Sequence, residues 1–330
     1  MNLNDQIPEI ALDWIDSGRV VALATVIRTW GSAPRPVGGQ LVIASDESFQ
    51  GSVSGGCVEG AVIVDALDAI RSGTCRLLQF GVSDETAFNV GLACGGQIEV
   101  MVEPVGHGQG PTIEELRELV AMRVARDPVI WEVDTKTWNR RFLHRNAGDP
   151  ASDALFRAGK SQHDGTVFRA VHNPPPRLII VGAVHIAQPL VKMAKMAGYE
   201  VVLCDPRDAF ASAERFPDEI FLDGWPDEAL KVFGVDARTA VVTLSHDPKI
   251  DQPALDVALK SEAFYIGALG SKRTHAKRIA ALIDAGHTAK DIGRIRGPVG
   301  LDIGATSPAE IAVSIIAEMT EWLRRPDRRP

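Results

Sequence analysis

A run of apolar residues directly after a proline cluster most constrains how this chain can fold. The prolines of Asn173-Pro174-Pro175-Pro176 interrupt any regular helix or strand, because proline fixes φ and lacks an amide hydrogen. The next residues, Arg177-Leu178-Ile179-Ile180-Val181-Gly182, form a continuous apolar stretch that ends in glycine. Such a stretch is typical of a strand that is buried on both faces of a parallel sheet. We therefore place a domain boundary at residue 176 and a buried strand immediately after it.

Strands and helices alternate from this point onward. The apolar runs at 200–205, 239–245 and 263–267 predict further strands. One helix is expected at about 252–261, between the last two of these strands, and another at about 274–285, after the last strand. A final helix begins with Ser307 as its N-cap, Pro308 at its first position and Glu310 at its third. This alternation predicts an α/β fold, with a C-terminal Rossmann-like, doubly wound parallel sheet.

The first hundred residues indicate a mixed α+β domain. Strands are predicted at 20–28, in a hairpin at 40–45 and 49–53, and at 97–103. A helix from Cys57 to Ser72 follows the hairpin and ends at Gly73. In the strand 97–103, Ile98, Val100 and Val102 alternate with Glu99 and Glu103, which predicts one buried and one solvated face.

Three regions result from these boundaries. Residues 1–105 form the N-terminal domain, 106–176 an irregular connecting segment, and 177–330 the Rossmann-like domain. Within the middle segment, Thr112-Ile113-Glu114-Glu115 predicts a capping box that opens a helix to about Arg126. Short strands are expected at 129–145 and 166–172.

Charge and composition exclude several classes of protein. The chain has 330 residues with 35 Lys and Arg against 43 Asp and Glu, so its net charge of −8 disfavours nucleic acid as a partner. Its apolar runs are much shorter than the about 20 residues that span a bilayer, and no secretory signal is evident. We therefore expect no membrane partner and a cytoplasmic location. The four cysteines, Cys57, Cys75, Cys94 and Cys204, are then expected to be reduced.

Two glycine-cysteine loops are the first candidate site. One contains Gly55-Gly56-Cys57 and the other Cys94-Gly95-Gly96. Adjacent glycines can turn backbone amides towards an anion, and a cysteine near a helix N-terminus favours the thiolate, which is a soft metal ligand and a sulfur nucleophile. The alternative is that the glycines only form tight turns and that the cysteines are small buried residues.

The strand–glycine–helix junction at Gly182 is the second candidate site. It has the position of a dinucleotide fingerprint, and Asp205 ends the next predicted strand, where a ribose hydroxyl would bind. Val184 occupies the place of the second glycine, however, and would hinder the approach of a pyrophosphate. NAD(P) is therefore a doubtful cofactor, and a nucleotide-dependent oxidoreductase is the alternative function. His185 could face a ligand or cap the turn.

Loops at the predicted strand ends are the third candidate site. His246-Asp247 could act as an acid–base or metal pair. Lys272 and Arg273, just before a helix, could bind a phosphate, and Asp302 lies in a glycine-rich loop of the same region. Ordinary solvated loops are the alternative interpretation. The sequence contains no G-x-S-x-G, P-loop or H-E-x-x-H motif, which excludes the commonest hydrolases, kinases and metalloproteases.

Several long motifs resemble one family. They are TWGSAPRPVGGQ (29–40), GSVSGGCVEG (51–60), ACGGQIEVMVEP (93–104), VGAVHIAQPL (181–190), SHDPKIDQPAL (245–255), YIGALGSKRTHAKR (265–278) and GPVGLDIGATSPAEIAVSI (297–315). Together they resemble the XdhC/CoxI family of molybdenum-cofactor accessory proteins, and the Gly-Gly-Cys loop is more similar to the CoxI-type branch. The family usually has Gly-Ala-Gly-His at the junction, where this chain has Gly182-Ala183-Val184-His185.

The resemblance implies a cofactor-handling chaperone rather than a catalyst. The implied role is to bind molybdenum cofactor (molybdopterin), assist its sulfuration and insert it into a xanthine-dehydrogenase-type or carbon-monoxide-dehydrogenase-type hydroxylase. The implied partners are that apo-enzyme, a cysteine desulfurase or other sulfur donor, and a second copy in a homodimer. We expect Cys57 to approach the metal or relay sulfur, with Cys94 as a second reactive thiol. The expected cofactor contacts are Gly55, Gly56, Glu59, Gly95, Gly96, Gly182, His185, Asp205, His246, Asp247, Lys272, Arg273 and Asp302. A docking factor that binds no small molecule is a third interpretation.

Overall fold

The computed structural model describes residues 6–31, 33–81, 96–145 and 149–325. The chain divides into two compact units, with the division between Pro174 and Pro175. We call residues 6–174 the N-terminal unit and residues 175–325 the C-terminal unit. The division lies within the proline run, where the chain cannot continue a strand or helix.

Both units contain helices and strands. The helices are α1 (Ile7–Asp16), α2 (Glu59–Ser72), α3 (Ile113–Val124), α4 (Pro150–Ala158), α5 (Ala187–Met196), α6 (Pro226–Phe233), α7 (Pro248–Leu259), α8 (Lys272–Asp284), α9 (Ala289–Ile292) and α10 (Pro308–Arg324). The strands are β1 (Val21–Trp30), β2 (Gln40–Ala44), β3 (Phe49–Gly51), β4 (Arg76–Phe80), β5 (Gln97–Pro104), β6 (Val129–Asp134), β7 (Arg140–His144), β8 (Gln162–His163), β9 (Val167–His172), β10 (Arg177–Val181), β11 (Glu200–Cys204), β12 (Ile220–Phe221), β13 (Thr239–Thr243), β14 (Tyr265–Ala268) and β15 (Ile295–Arg296).

The N-terminal unit contains an antiparallel five-stranded sheet, which we call sheet A. Its strand order is β3-β2-β1-β5-β4. On one face, Ala22, Val26 and Val100 pack against α2 through Val62 and Ala66. This arrangement places the loop between β3 and α2 at the rim of the unit, and that loop contains Cys57.

A second antiparallel sheet, sheet B, covers the other face of sheet A. Its order is β7-β6-β9-β8, and it lies within the segment 106–176. Leu23 and Met101 of sheet A share one core with Trp131 and Phe168 of sheet B and with residues of α1 and α3. The helix α3 begins at the predicted capping box, in which Thr112 and Glu115 bond reciprocally.

Sheet B changes the environment of β5. The predicted solvated face of this strand was wrong, because Glu99 and Glu103 are each only 5% exposed. Glu103 accepts a hydrogen bond at 2.5 Å from Nη2 of Arg140 on β7, so its charge is paired where sheet B excludes water. The alternation of residues along β5 is present, but both faces are covered.

The C-terminal unit has the predicted α/β fold. Its six-stranded sheet, sheet C, has the order β12-β11-β10-β13-β14-β15, and all its strand pairs are parallel. Apolar residues of α5 and α10 cover one face, and those of α6, α7 and α8 cover the other. The strand order reverses beside β10, and the carboxyl ends of strands at such a switch point are where open α/β sheets bind ligands.

Several predicted helix boundaries are confirmed. Helix α10 begins at Pro308 with Ser307 as its N-cap and a capping box to Glu310. Helix α2 ends at Gly73, which has a left-handed φ of 69°. It begins at Glu59, two residues later than predicted, because the preceding loop has a conformation of its own.

Candidate functional site

The Gly-Gly-Cys loop joins β3 to α2 and exposes its cysteine. Gly55 and Gly56 have φ angles of 77° and 111°, which side-chain-bearing residues rarely adopt, so the right-handed helix cannot begin here. Cys57 follows them as a free, exposed thiol. A Cβ at Gly56 would meet no atom within 4 Å, which leaves space open beside the cysteine.

The Glu59 side chain fixes the conformation of this loop through hydrogen bonds. Its Oε1 accepts hydrogen bonds from Ser52 Oγ at 2.7 Å and from the Val53 amide at 3.1 Å. Ser54 donates to Oε1 through its amide at 2.9 Å and to Oε2 through its hydroxyl at 2.5 Å. The Gly56 amide donates to Oε2 at 2.9 Å. Five donors therefore surround one carboxylate that is 7% exposed.

These bonds change what the loop can offer to a ligand. Burial alone would raise the pKa of Glu59, but the hydrogen bonds from Ser54 and Ser52 outweigh burial and lower the pKa to about 2. The Gly55 amide donates to Ser52 Oγ at 2.8 Å, and the Gly56 amide is used by Glu59. The amides that were predicted to bind an anion therefore donate to the side chains of Ser52 and Glu59. The group that the loop leaves exposed is the Cys57 thiol.

The second glycine-cysteine loop is described only at its edge. Cys94 and Gly95 lie outside the described residues. Gly96 is buried beside Gly81, and a Cβ on Gly81 would clash with the Gly96 carbonyl oxygen. Gly81 therefore allows the chain after β4 to approach the backbone just before β5 closely.

The other described cysteines have protected thiols. Burial raises the pKa of Cys75 to about 12, the nearby Glu103 adds to this shift, and Arg140 only partly opposes it. Burial also raises the pKa of the Cys204 thiol to about 12. Because the thiolate is the nucleophile and metal ligand, Cys57 is the accessible sulfur among the cysteines that the structure describes.

The junction after β10 makes a close turn against the neighbouring strand end. Gly182 has a φ of 101°, and a Cβ there would lie 2.6 Å from the Ser245 amide nitrogen. His185 is exposed and directly follows the partly buried Val184. Gly182 is therefore required for the loop after β10 to pack against the loop after β13, at the carboxyl ends of these strands, whether or not a ligand binds there.

Asp205 is occupied by protein donors. Arg207 donates to Oδ1 through Nε and to Oδ2 through Nη2, each at 2.8 Å. The amides of Arg207 and Ala183 donate to Oδ1 at 3.1 Å and to Oδ2 at 2.8 Å. Burial raises the pKa of Asp205, but these bonds outweigh it and leave the pKa below its usual value. Both oxygens are thus committed, which disfavours a ribose contact and the oxidoreductase alternative.

The loop after β13 contains a buried carboxylate that the sequence analysis missed. His246 is exposed with a positive φ of 62°, and Asp247 caps α7 by accepting from the Lys249 amide at 2.9 Å. One turn later, Asp251 is 2% exposed and accepts from Ser245 Oγ at 2.6 Å. Asp251 follows Asp247 by four residues, and this helical spacing could have indicated a second acidic side chain on the same side of α7.

Asp251 lies close to a second buried charge. Its Oδ2 is 3.8 Å from Nη2 of Arg278, which donates to the Leu269 carbonyl at 2.9 Å. Burial raises the pKa of Asp251 and lowers the pKa of Arg278. This pair joins α7 to α8 beneath the loops that follow β13 and β14.

The remaining predicted residues have exposed side chains. Lys272 and Arg273 open α8 after the N-cap Ser271, and Asp302 lies in the loop before α10. Among the described residues, no hydrogen bond or ion pair joins these side chains to one another. The loop that carries Asp302 is anchored by Glu318, whose Oε2 accepts from the Gly300 amide at 2.9 Å.

Neither a metal-binding cluster nor a membrane-spanning helix is found among the described residues. No group of three or more His, Cys, Asp or Glu side chains is placed to hold a metal ion in the part of the chain that the structure describes. Over the same residues, no helix is both long and apolar enough to cross a membrane.

Comparison with known families gives two matches. Residues 14–81, which include the Gly-Gly-Cys loop and all of α2, match the description "XdhC and CoxI family". Residues 178–319, which include nearly all of sheet C, match the description "XdhC Rossmann domain".

Individual relatives match along nearly the whole chain. The molybdenum cofactor insertion chaperone PaoD of Escherichia coli (strain K12) is 30% identical over 94% of this chain and 85% of its own length. A probable xanthine dehydrogenase subunit from Bacillus subtilis (strain 168) is 29% identical over 92% of this chain and 93% of its own. A crystal structure from Bacillus halodurans, described as a xanthine dehydrogenase, has a TM-score of 0.70 and 25% identity, covering 98% of this chain and 96% of that one. The chain therefore belongs to the XdhC and CoxI family.

Proposed function

We propose that this protein binds molybdenum cofactor and inserts it into a molybdenum hydroxylase. The similarity to an insertion chaperone over 94% of the chain supports this role. The observation that carries the proposal is the exposed Cys57 on a loop fixed by Glu59. A carrier needs a ligand that reaches the metal of its cargo, and a thiolate on a rigid loop is such a ligand.

Sulfuration is the finer part of the proposal. The Cys57 thiolate can attack the outer sulfur of a persulfide on a cysteine desulfurase or other donor, which breaks the donor's S–S bond, releases the donor thiolate and leaves the persulfide on Cys57. Cys94 is proposed as a second sulfur residue on the basis of its glycine-rich sequence alone. The client is proposed to be an apo-enzyme of the xanthine dehydrogenase or carbon monoxide dehydrogenase type.

The loop's own hydrogen bonds redefine the proposed cofactor contacts. The amides of Gly55 and Gly56 are engaged within the loop, so their proposed contact with the cargo is the less favoured one. Lys272 and Arg273 stay the proposed phosphate contacts, because their side chains are exposed cations. Glu59 acts as a positioning residue that holds Cys57 in place. Gly95, Gly96, Gly182, His185, His246, Asp247 and Asp302 stay predicted contacts, whereas the proposal does not need Asp205.

The cellular setting is also part of the proposal. Three free cysteines among the described residues suit a reducing compartment, so we propose that the protein acts in the cytoplasm. Separately, we propose a homodimer, which is the commonest oligomeric state.

Cofactor content tests the proposal directly. The protein is purified from a host that makes molybdenum cofactor, and bound pterin is oxidised to its fluorescent form and measured. We expect stoichiometric pterin in the wild type and a reduced amount in Cys57→Ala. Cys75→Ser is the matched control, because that thiol is partly buried with its pKa raised to about 12. Absence of pterin from the wild type, also after reconstitution, would contradict a carrier function.

A further inference from the structure

A small cavity lies between sheet A and sheet B, on the side of sheet A that faces away from α2. Thr25, Gln40 and Glu103 line it from sheet A, and Trp131 and His172 line it from sheet B. About 10 Å³ of it is open to the centre of a water molecule. A space of this size has room for about one water molecule.

His172, which lines this cavity, carries a buried hydrogen-bond donor. Arg123 lies with Nη1 3.1 Å from His172 Nδ1, and arginine can only donate, so Nδ1 is the acceptor. Burial, with the nearby Arg123 charge, lowers the pKa of His172 to about 3, so the ring is neutral at physiological pH. The single ring hydrogen is therefore on Nε2, which is buried and has no protein partner.

Trp131 contributes a second donor. Its side chain is buried, and indole Nε1 can only donate. No protein acceptor lies within hydrogen-bond distance of this nitrogen. Trp131 and His172, on adjacent strands of sheet B, thus line one cavity, and each carries a buried N–H group without a protein partner. Buried donors in native proteins are nearly always satisfied.

Acceptors line the opposite side. Glu103 carries a carboxylate there, and Gln40 Nε2 donates to Thr25 Oγ1 at 3.3 Å. The two N–H donors disfavour a cation in the cavity, and the acceptor oxygens of Glu103, although paired with Arg140, disfavour an anion. The occupant must be small and neutral, and must both accept and donate hydrogen bonds.

We propose that this cavity binds one water molecule, which accepts from Trp131 Nε1 and His172 Nε2 and donates towards Glu103 or Thr25. The water links the two sheets of the N-terminal unit through polar groups in an otherwise apolar core. This assignment is independent of the proposed cofactor chemistry, because none of these residues belongs to the predicted site.

A crystal structure that resolves ordered solvent tests this inference on the wild-type protein. The expected result is one water within about 2.7–3.2 Å of both nitrogens. Three results would overturn the inference: a cavity without density, a chloride or metal ion in it, or a Trp131 ring turned so that Nε1 bonds to a protein acceptor.

Magnetisation transfer from water to indole N–H groups gives a second measurement in solution. We expect a cross-peak from a long-lived water to the Trp131 indole, assigned by its disappearance in Trp131→Phe. Trp138→Phe is the matched control and should keep the cross-peak, because Trp138 packs near the same core without lining the cavity. A Trp131 indole without such transfer would contradict the proposal. If Trp131→Phe does not fold, the wild-type crystal structure still decides.

Discussion

Glu59 provides the hydrogen-bond acceptors that the glycine-rich loop would otherwise seek from an anion. Its two oxygens accept from Ser54, Gly56 and two further donors, and this network supports Cys57. Because the Glu59 carboxylate is removed from water, its negative charge is stabilised by those hydrogen-bond donors instead. The Glu59 carboxylate thus fixes the loop that exposes the Cys57 thiol.

Acid should weaken this loop within a defined range of pH. The pKa of Glu59 falls from 4.5 to about 2 on folding, so its contribution to the free energy of unfolding is present above about pH 4.5 and is lost as the pH falls towards 2. The full contribution is about 3 kcal/mol. We predict that Glu59→Gln lowers the unfolding free energy at neutral pH by up to about 3 kcal/mol, measured by urea denaturation.

The same variant should also flatten the pH dependence below pH 4.5. Glu118→Gln, an exposed carboxylate on α3, is the control and should unfold like the wild type. Equal acid sensitivity of Glu59→Gln and the wild type would show that the network does not stabilise the loop.

Cys57 should be required for activation of the client enzyme. We predict that Cys57→Ala reduces the rate at which an apo-hydroxylase gains activity by at least about tenfold, since the proposed metal or sulfur contact is lost. The measurement is client turnover after incubation with the purified variant. Activation by Cys57→Ala at the wild-type rate, with Cys75→Ser as reference, would remove the proposed role of the thiol.

The sequence could predict the site only in part at this scale. Two adjacent glycines before a cysteine indicated an unusual loop, and their positive φ angles agree with this. The sequence could not show that Glu59 fills the loop, because that contact depends on the folded path from Ser52 to Gly56. Asp205 was similarly predicted to contact ligand, whereas Arg207 occupies it.

Among the elements, helix boundaries were predicted best where a local signal exists. Ser307, Pro308 and Glu310 specify the start of α10 within four residues, and the structure confirms the capping box. The solvated face of β5 was wrong because Arg140, which pairs with Glu103, is distant in sequence. A capping box can be predicted from neighbouring residues, whereas the burial of both faces of a strand depends on residues that are distant in the sequence.

The cap of α10 should contribute measurably to stability. Ser307 Oγ accepts from the Glu310 amide at 3.3 Å, and Glu310 Oε2 accepts from the Ser307 amide at 2.8 Å. Ser307→Ala is predicted to lower the unfolding free energy by about 1 kcal/mol. Thermal or urea unfolding measures the effect, and Thr320→Ala, exposed on the same helix, should show no such loss. A Ser307→Ala variant as stable as the wild type would contradict the prediction.

At the scale of the molecule, alternation of strands and helices predicted the α/β fold of the C-terminal unit. Its parallel sheet and covered faces agree with the apolar run after the proline cluster. Sheet B was not foreseen as a sheet, because β6 and β9 are separated by a long segment and pair only through tertiary contacts. The cofactor contacts and the domain boundaries 1–105, 106–176 and 177–330 stay predictions.

Transfer of cofactor to a client tests the central claim most directly. Protein loaded with molybdenum cofactor is mixed with an apo molybdenum hydroxylase, and both the client's activity and the pterin that moves to it are measured. We predict that loaded protein activates the client with equimolar loss of its own pterin, and that unloaded protein does not activate it. Equal activation by unloaded protein, or retention of pterin by the loaded form, would contradict a function in cofactor insertion.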